Sequence, residues 1–123
     1  MSWKFRPFLG RINLMPIVRI DYNNDKISKE ETIKLSVAVQ KIVSEATGLG
    51  LEEIIVYGNN SEIKVNVAPI EIFIEMSAHK ISNINEVVAK IKEKLTAWKK
   101  ENNFAYPINL TLIPMQWKIE LGI

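Results

Sequence analysis

At 123 residues the chain has the length of one domain, and 47% apolar with 24% charged residues is a globular rather than a disordered composition. The absence of cysteine excludes disulfides, thiolate metal sites and a thiol nucleophile, while a single histidine, His79, excludes a multi-histidine metal site within one chain. No apolar run is long enough to span a bilayer, and setting aside Lys4, Arg6 and Arg11 leaves 13 basic against 14 acidic residues, a balance of −1 that argues against a nucleic-acid partner.

Residues 1–15 show neither helical nor strand periodicity. Trp3, Phe5, Phe8 and Leu9 are broken up by Lys4, Arg6 and Pro7, so no continuous apolar stretch follows the basic start, as a secretory signal requires. The segment lacks acids and carries arginine, as transit peptides do, but it is short and poor in serine. It reads as an extension ahead of a domain over residues 16–123. Pro16–Tyr22 is rich in β-branched residues and alternates Arg19 and Asp21 with Val18 and Ile20, which predicts a strand. Asn23-Asn24-Asp25 is a turn signal.

Ser28 followed three residues later by Glu31 makes a capping box. Leu35, Ala38, Val39, Ile42 and Ala46 continue at helical spacing, and Gly48 supplies a left-handed C-terminal cap. Glu53–Tyr57 predicts a short strand closed by Gly58-Asn59-Asn60. Ser61–Asn66 alternates weakly and is either an excursion or a short extra strand. Pro69–Glu75 alternates clearly: Glu71, Phe73 and Glu75 share one side, Ile70, Ile72 and Ile74 the other, and the isoleucine side should meet helices. A second helix starts near Asn83, with Ile84, Val87, Ile91, Leu95 and Trp98 as its apolar stripe. Its Lys90, Lys92, Lys94, Lys99 and Lys100 read as a solvated face. Asn102-Asn103 ends it, Pro107–Ile113 is the fourth main strand, and Gln116–Ile123 is a last strand or an arm.

The order is therefore β-α-β twice. Met15-Pro16-Ile17 is echoed by Ala68-Pro69-Ile70 at a period of 53 residues, enough for one β-α-β unit and its connections. Two right-handed units joined edge to edge give an α+β fold, a four-stranded mixed sheet with two helices on one face. The other face, carrying Arg19, Asp21, Glu71, Phe73 and Glu75, is too mixed for a second helix layer and suits the inner wall of an oligomer.

Met15-Pro16-Ile17-Val18 opening the first strand, Ala46-Thr47-Gly48 closing the first helix and the repeated β-α-β order resemble the tautomerase superfamily, the 4-oxalocrotonate tautomerase and macrophage migration inhibitory factor type, and its uncharacterised bacterial members in particular. The resemblance covers residues 15–115. It implies a cytoplasmic bacterial homotrimer with three sheets around a central barrel, no cofactor, and a small enol or keto acid as substrate.

It also implies a catalytic N-terminal proline. A proline at a chain start is a secondary amine; an α-amino group titrates at about 7.7–8.0, burial lowers that value, and the base is then poised for proton transfer next to a carbonyl. The matching residue is Pro16. Within the full chain its nitrogen is a tertiary amide without basicity, so catalysis requires Met15 to be the true start. Gly10-Arg11 is encodable as a purine-rich string like a ribosome-binding site, three codons ahead of Met15. The alternative is a strand-start proline, placed where no ladder donor is needed, in a non-catalytic trimer of this fold. Family enzymes acting on dicarboxylates hold them with arginines, and only Arg19 remains in the domain. Leu49 stands where some members carry a lysine. Asn109 and Thr111, on the last strand, are further substrate-binding candidates, and His79 and Lys80 fall in the loop before the second helix.

Overall fold

The structure is a computed structural model, and it describes residues 16–77, 84–116, 120, 122 and 123. Four strands and two helices follow one another as β1 (Ile17–Tyr22), α1 (Lys29–Thr47), β2 (Ile55–Asn60), β3 (Ile70–Ser77), α2 (Ile84–Glu101) and β4 (Asn109–Met115), with a 3₁₀ turn at Leu51–Glu53. The sheet order is β2-β1-β3-β4. β1 runs parallel to β2 and β3 parallel to β4, while β1 and β3 pair antiparallel at the centre. This is the α+β architecture that the sequence predicts.

The alternation read in the sequence decides which side of the sheet is covered. Val18 and Ile20 of β1 and Ile70, Ile72 and Ile74 of β3 have at most 1% of their surface exposed, and they cluster with Leu35, Val39 and Val43 of α1 and Ile91 and Leu95 of α2. Burying each such side chain contributes about 1.5–3 kcal/mol. Ile17, Arg19, Asp21, Glu71, Phe73 and Glu75 point the other way and are half-buried. The sheet thus has a helix side and an open side.

α1 begins and ends where its capping residues place it. The Ser28 hydroxyl accepts from the Glu31 amide at 3.1 Å, and Gly48 adopts φ +78° while its N–H donates to the Ser44 carbonyl at 2.8 Å. α2 ends differently: Asn103 takes the left-handed conformation at φ 51°, and the Phe104 N–H returns to the Lys99 carbonyl at 2.9 Å. Asparagine tolerates that conformation better than most residues with a side chain.

Several boundaries shift. Glu53 belongs to the 3₁₀ turn, and β2 runs to Asn60 through the residues expected to close it. The Glu53 carboxylate accepts from the Gly50 amide at 2.8 Å, which bends the chain before Ile55 can pair. β4 starts two residues after Pro107 and continues to Met115, because its ladder with β3 begins at Asn109 opposite Glu71. Ser61–Asn66 is an excursion and forms no strand. Asn83, the expected helix start, lies outside the described residues, as does most of the tail beyond Gln116.

The repeat is real, but its interval is not 53. Ile17 pairs with Ile55 and Glu71 with Asn109, a separation of 38 residues in both units. An odd shift between the units would set Val18 against Glu71, on opposite sides of the sheet. A shift of 52 instead matches Val18 and Ile20 with Ile70 and Ile72, and Leu35, Val39, Val43 and Ala46 with Val87, Ile91, Leu95 and Trp98, all on the helix side. Ile20 and Ile72 are then equivalent, and they face each other across the central antiparallel pair. Pro16 corresponds to Ala68, not to Pro69.

Candidate active site

Pro16 immediately precedes β1 and its ring is fully buried. Its carbonyl accepts from the Ile55 amide at 3.2 Å, which anchors it to the start of β2. Continuing the strand registers by one residue sets it opposite Ile54 and Met76, both buried. The parity of β1 turns the ring towards the helix side, with Val18 and Ile20. In the full chain Met15 acylates this nitrogen, so the ring sits in place but carries no base.

The polar candidates occupy the open side. One row across the sheet reads Tyr57, Arg19, Phe73, Thr111, and the next reads Asn59, Asp21, Glu71, Asn109. At about 3.3 Å per residue, the Arg19 row lies roughly 10 Å along the strand from Pro16, and the Asn109 row about 16 Å. Arg19 and Thr111 therefore share a row, flanking Phe73. Asn109 sits at the far end of the sheet, and neither row converges on Pro16 within one protomer. His79 and Lys80 lie outside the described residues.

The Arg19 guanidinium is already engaged. Its central carbon sits 4.5 Å from the centre of the Phe73 ring, and its Nε donates to Asp21 Oδ2 at 3.3 Å. A cation over an aromatic ring contributes about 0.5–1 kcal/mol at an exposed site. Asn109 is engaged too: its Nδ2 donates to Glu71 Oε1 at 2.9 Å, while Asn59 Nδ2 reaches Asp21 Oδ1 at 3.4 Å. Two carboxylates directly opposite on neighbouring strands repel, and the flanking amides and Arg19 offset that cost.

A recess of about 330 Å³ opens at this far end, between the start of β3 and the excursion after β2. It was not evident in the sequence. Lys64, on the excursion, lines it with only 17% of its side chain exposed; its ammonium donates to Asn24 Oδ1 and lies 3.5 Å from Asp25 Oδ2. The alternation of Glu62, Lys64 and Asn66 with Ile63, Val65 and Val67 was the available signal, but nothing in it says that the lysine turns inward. Among the described residues, no three His, Cys, Asp or Glu side chains are grouped to hold a metal ion.

No family model and no curated protein matches the sequence. Solved structures do match the fold. The chain is similar to malonate semialdehyde decarboxylase, studied as wild type, a proline-to-alanine mutant and an inactivated form, with a TM-score of 0.65 at 10% identity, covering 87% of this chain and 92% of that one. It is similar to a fused 4-OT wild-type symmetric trimer with a TM-score of 0.63 at 13% identity, covering 87% and 94%. A domain of unknown function, DUF1904, from Sebaldella termitidis superposes with a TM-score of 0.62 at 11% identity, covering 89% and 98%. At 10–13% identity over nearly the whole length of both chains, what is shared is architecture: this chain has the fold of the tautomerase superfamily.

Proposed function

We propose that the protein is a cofactor-free keto–enol tautomerase in which Pro16, freed as the chain terminus by a start at Met15, is the general base. The observation that carries this reading is the position of Pro16 at the first residue before β1, on a fold shared with 4-OT and with a malonate semialdehyde decarboxylase examined through a proline-to-alanine mutant. Residues 1–15 are then an extension dispensable to the domain of residues 16–123. A free Pro16 amine, flanked by Ile54 and Met76, is a secondary amine in an apolar setting, where its charged form is disfavoured. It takes a proton from an enol or from carbon beside a carbonyl and returns it elsewhere on the substrate. Arg19 and Thr111, about 10 Å away on the open side, act on substrate only if sheets of neighbouring copies close around it. The proposed assembly is a homotrimer, as in the 4-OT neighbour. Because Arg19 is committed to Phe73 and Asp21, monocarboxylates are better substrates than dicarboxylates.

The test compares the full chain with a shortened chain starting at Met15, using phenylenolpyruvate ketonisation. Methionine is removed readily before a small residue, so the shortened protein presents free Pro16, which intact mass verifies. It is active and the full chain is not. Equal activity in both refutes Pro16 as base. A second reading, a non-catalytic trimer, is favoured by the complete burial of the Pro16 ring; inactivity of the shortened protein with its amine confirmed free selects it.

A further inference from the structure

The outer surface of the helix layer carries a feature that neither the core nor the Pro16 reading uses. A groove of about 690 Å³ runs between α1 and α2. It follows α1 from Ile33 to Glu45, residues twelve positions or roughly 18 Å apart at about 1.5 Å per residue. Its apolar lining is Val37, Ala38, Ile42, Ala97 and Trp98. The two alanines are why it exists: they leave the space that larger side chains would fill between the helices. Ile33 and Val37 stand along its α1 wall, 53% and 65% exposed.

The charges around this lining have one sign in excess. Lys34, Lys41 and Lys94 face Glu45 and Glu101. Lys94 pairs with Glu45 at 3.6 Å and closes one end. Among the described residues no ion pair engages Lys34 or Lys41, which lie seven residues, about two turns, apart on the same wall. Glu101 has no ion pair among the described residues either, so the trough keeps one positive charge in excess, and an apolar trough with that border complements a ligand with an apolar tail and a single negative head. A macromolecular partner fits less well. A stable protein interface takes about 800 Å² from each side, far more than a ridge of two aliphatic residues supplies.

We propose that the α1/α2 groove binds a single-chain alkyl carboxylate, its tail along Val37, Ala38, Ala97 and Trp98 and its carboxylate beside Lys34 and Lys41. The volume lies within the ~300–1,000 Å³ of small-molecule clefts. The groove is on the opposite side of the molecule from the open sheet face, so this site does not depend on the tautomerase reading.

The test is titration of the full chain with dodecanoate, kept below its micelle concentration, followed by NMR of the Ala38 and Ala97 methyls and the Trp98 indole. The expected result is a saturable shift confined to these groups. Lys34→Gln with Lys41→Gln weakens binding about tenfold, the effect of two partly exposed charge contacts, and dodecan-1-ol, lacking the charge, binds about as weakly. Ala97→Phe fills the groove from an exposed position and abolishes the shifts, with folding checked by thermal melting. Shifts elsewhere, no saturation, equal binding of dodecan-1-ol, or a double lysine variant with undiminished affinity would each overturn the proposal; the lysine variant decides even if Ala97→Phe does not fold.

Discussion

The two β-α-β units space their parallel strands by the same 38 residues, yet they open differently. In the first unit a buried proline stands at the mouth of the strand pair, its carbonyl tied to Ile55. In the second the equivalent residue is Ala68, and the neighbouring Pro69 is only half-buried, with its carbonyl accepting from Asn23 at 3.0 Å. A recess and an inward lysine occupy that end instead. Strand spacing and helix stripe are fixed by packing, which both units must satisfy. The mouths are free of that constraint, and there the units diverge.

The sharpest way to break this comparison is to treat the two prolines alike. In the chain starting at Met15, Pro16→Ala slows ketonisation about 10²–10⁴-fold, the range of a general base. Pro69→Ala leaves the rate unchanged. Comparable losses from both would mean that Pro16 acts through the fold rather than through its nitrogen.

At the centre the units should behave identically. Ile20→Ala and Ile72→Ala each destabilise by about 2–5 kcal/mol, and urea unfolding gives equal values within error in a single transition, since the two residues face each other. Unequal losses, or two transitions, would show that the halves fold as separate units.

The helix ends give smaller, unequal effects. Gly48→Ala meets no atom within 4 Å, so its cost is that of a side chain at φ +78°, about 1–2 kcal/mol. Asn103→Gly stabilises by no more than a few tenths, because asparagine already tolerates the left-handed position. Ser28→Ala, which leaves the Glu31 amide without its cap, costs about 1 kcal/mol. Thermal melts rank all three. The smallest effect is expected for Lys64→Met. Its partner Asp25 is 74% exposed, and such a pair contributes roughly 0–1 kcal/mol; a larger loss would assign the recess a role in holding the excursion.

Much of the fold was legible because burial writes itself into the sequence. The alternation of Ile70, Ile72 and Ile74 with Glu71, Phe73 and Glu75 marks both sides of β3, and Ser28 and Gly48 bracket α1. What was not legible depended on contacts across the sheet. The echo of the two prolines is a similarity of letters, and only the pairing of strands shows that they sit one residue out of step. Nothing in the alternation of β1 says that Phe73, opposite Arg19 across the central pair, sets the centre of its ring 4.5 Å from the guanidinium carbon. Asn109 does line a recess, but strand register sets that recess at the end of the sheet away from Pro16. The inward turn of Lys64 was hidden because an excursion without periodic pairing gives no rule for which side chains point where.

The division of the sheet into a helix side and an open side has a consequence for how the gene can change length. Inserting one codon within β3 would put the residues after it out of phase with those before it, so that part of the Ile70, Ile72 and Ile74 set leaves the core and part of the Glu71, Phe73 and Glu75 set enters it. The stretch after β2 carries no such penalty: Ile63 and Val65 are 85% and 80% exposed and pair with no strand, so codons can be gained or lost there one at a time. Length variation among descendants of this gene should therefore collect between β2 and β3, and spare β1 and β3, where every residue has a side of the sheet to keep.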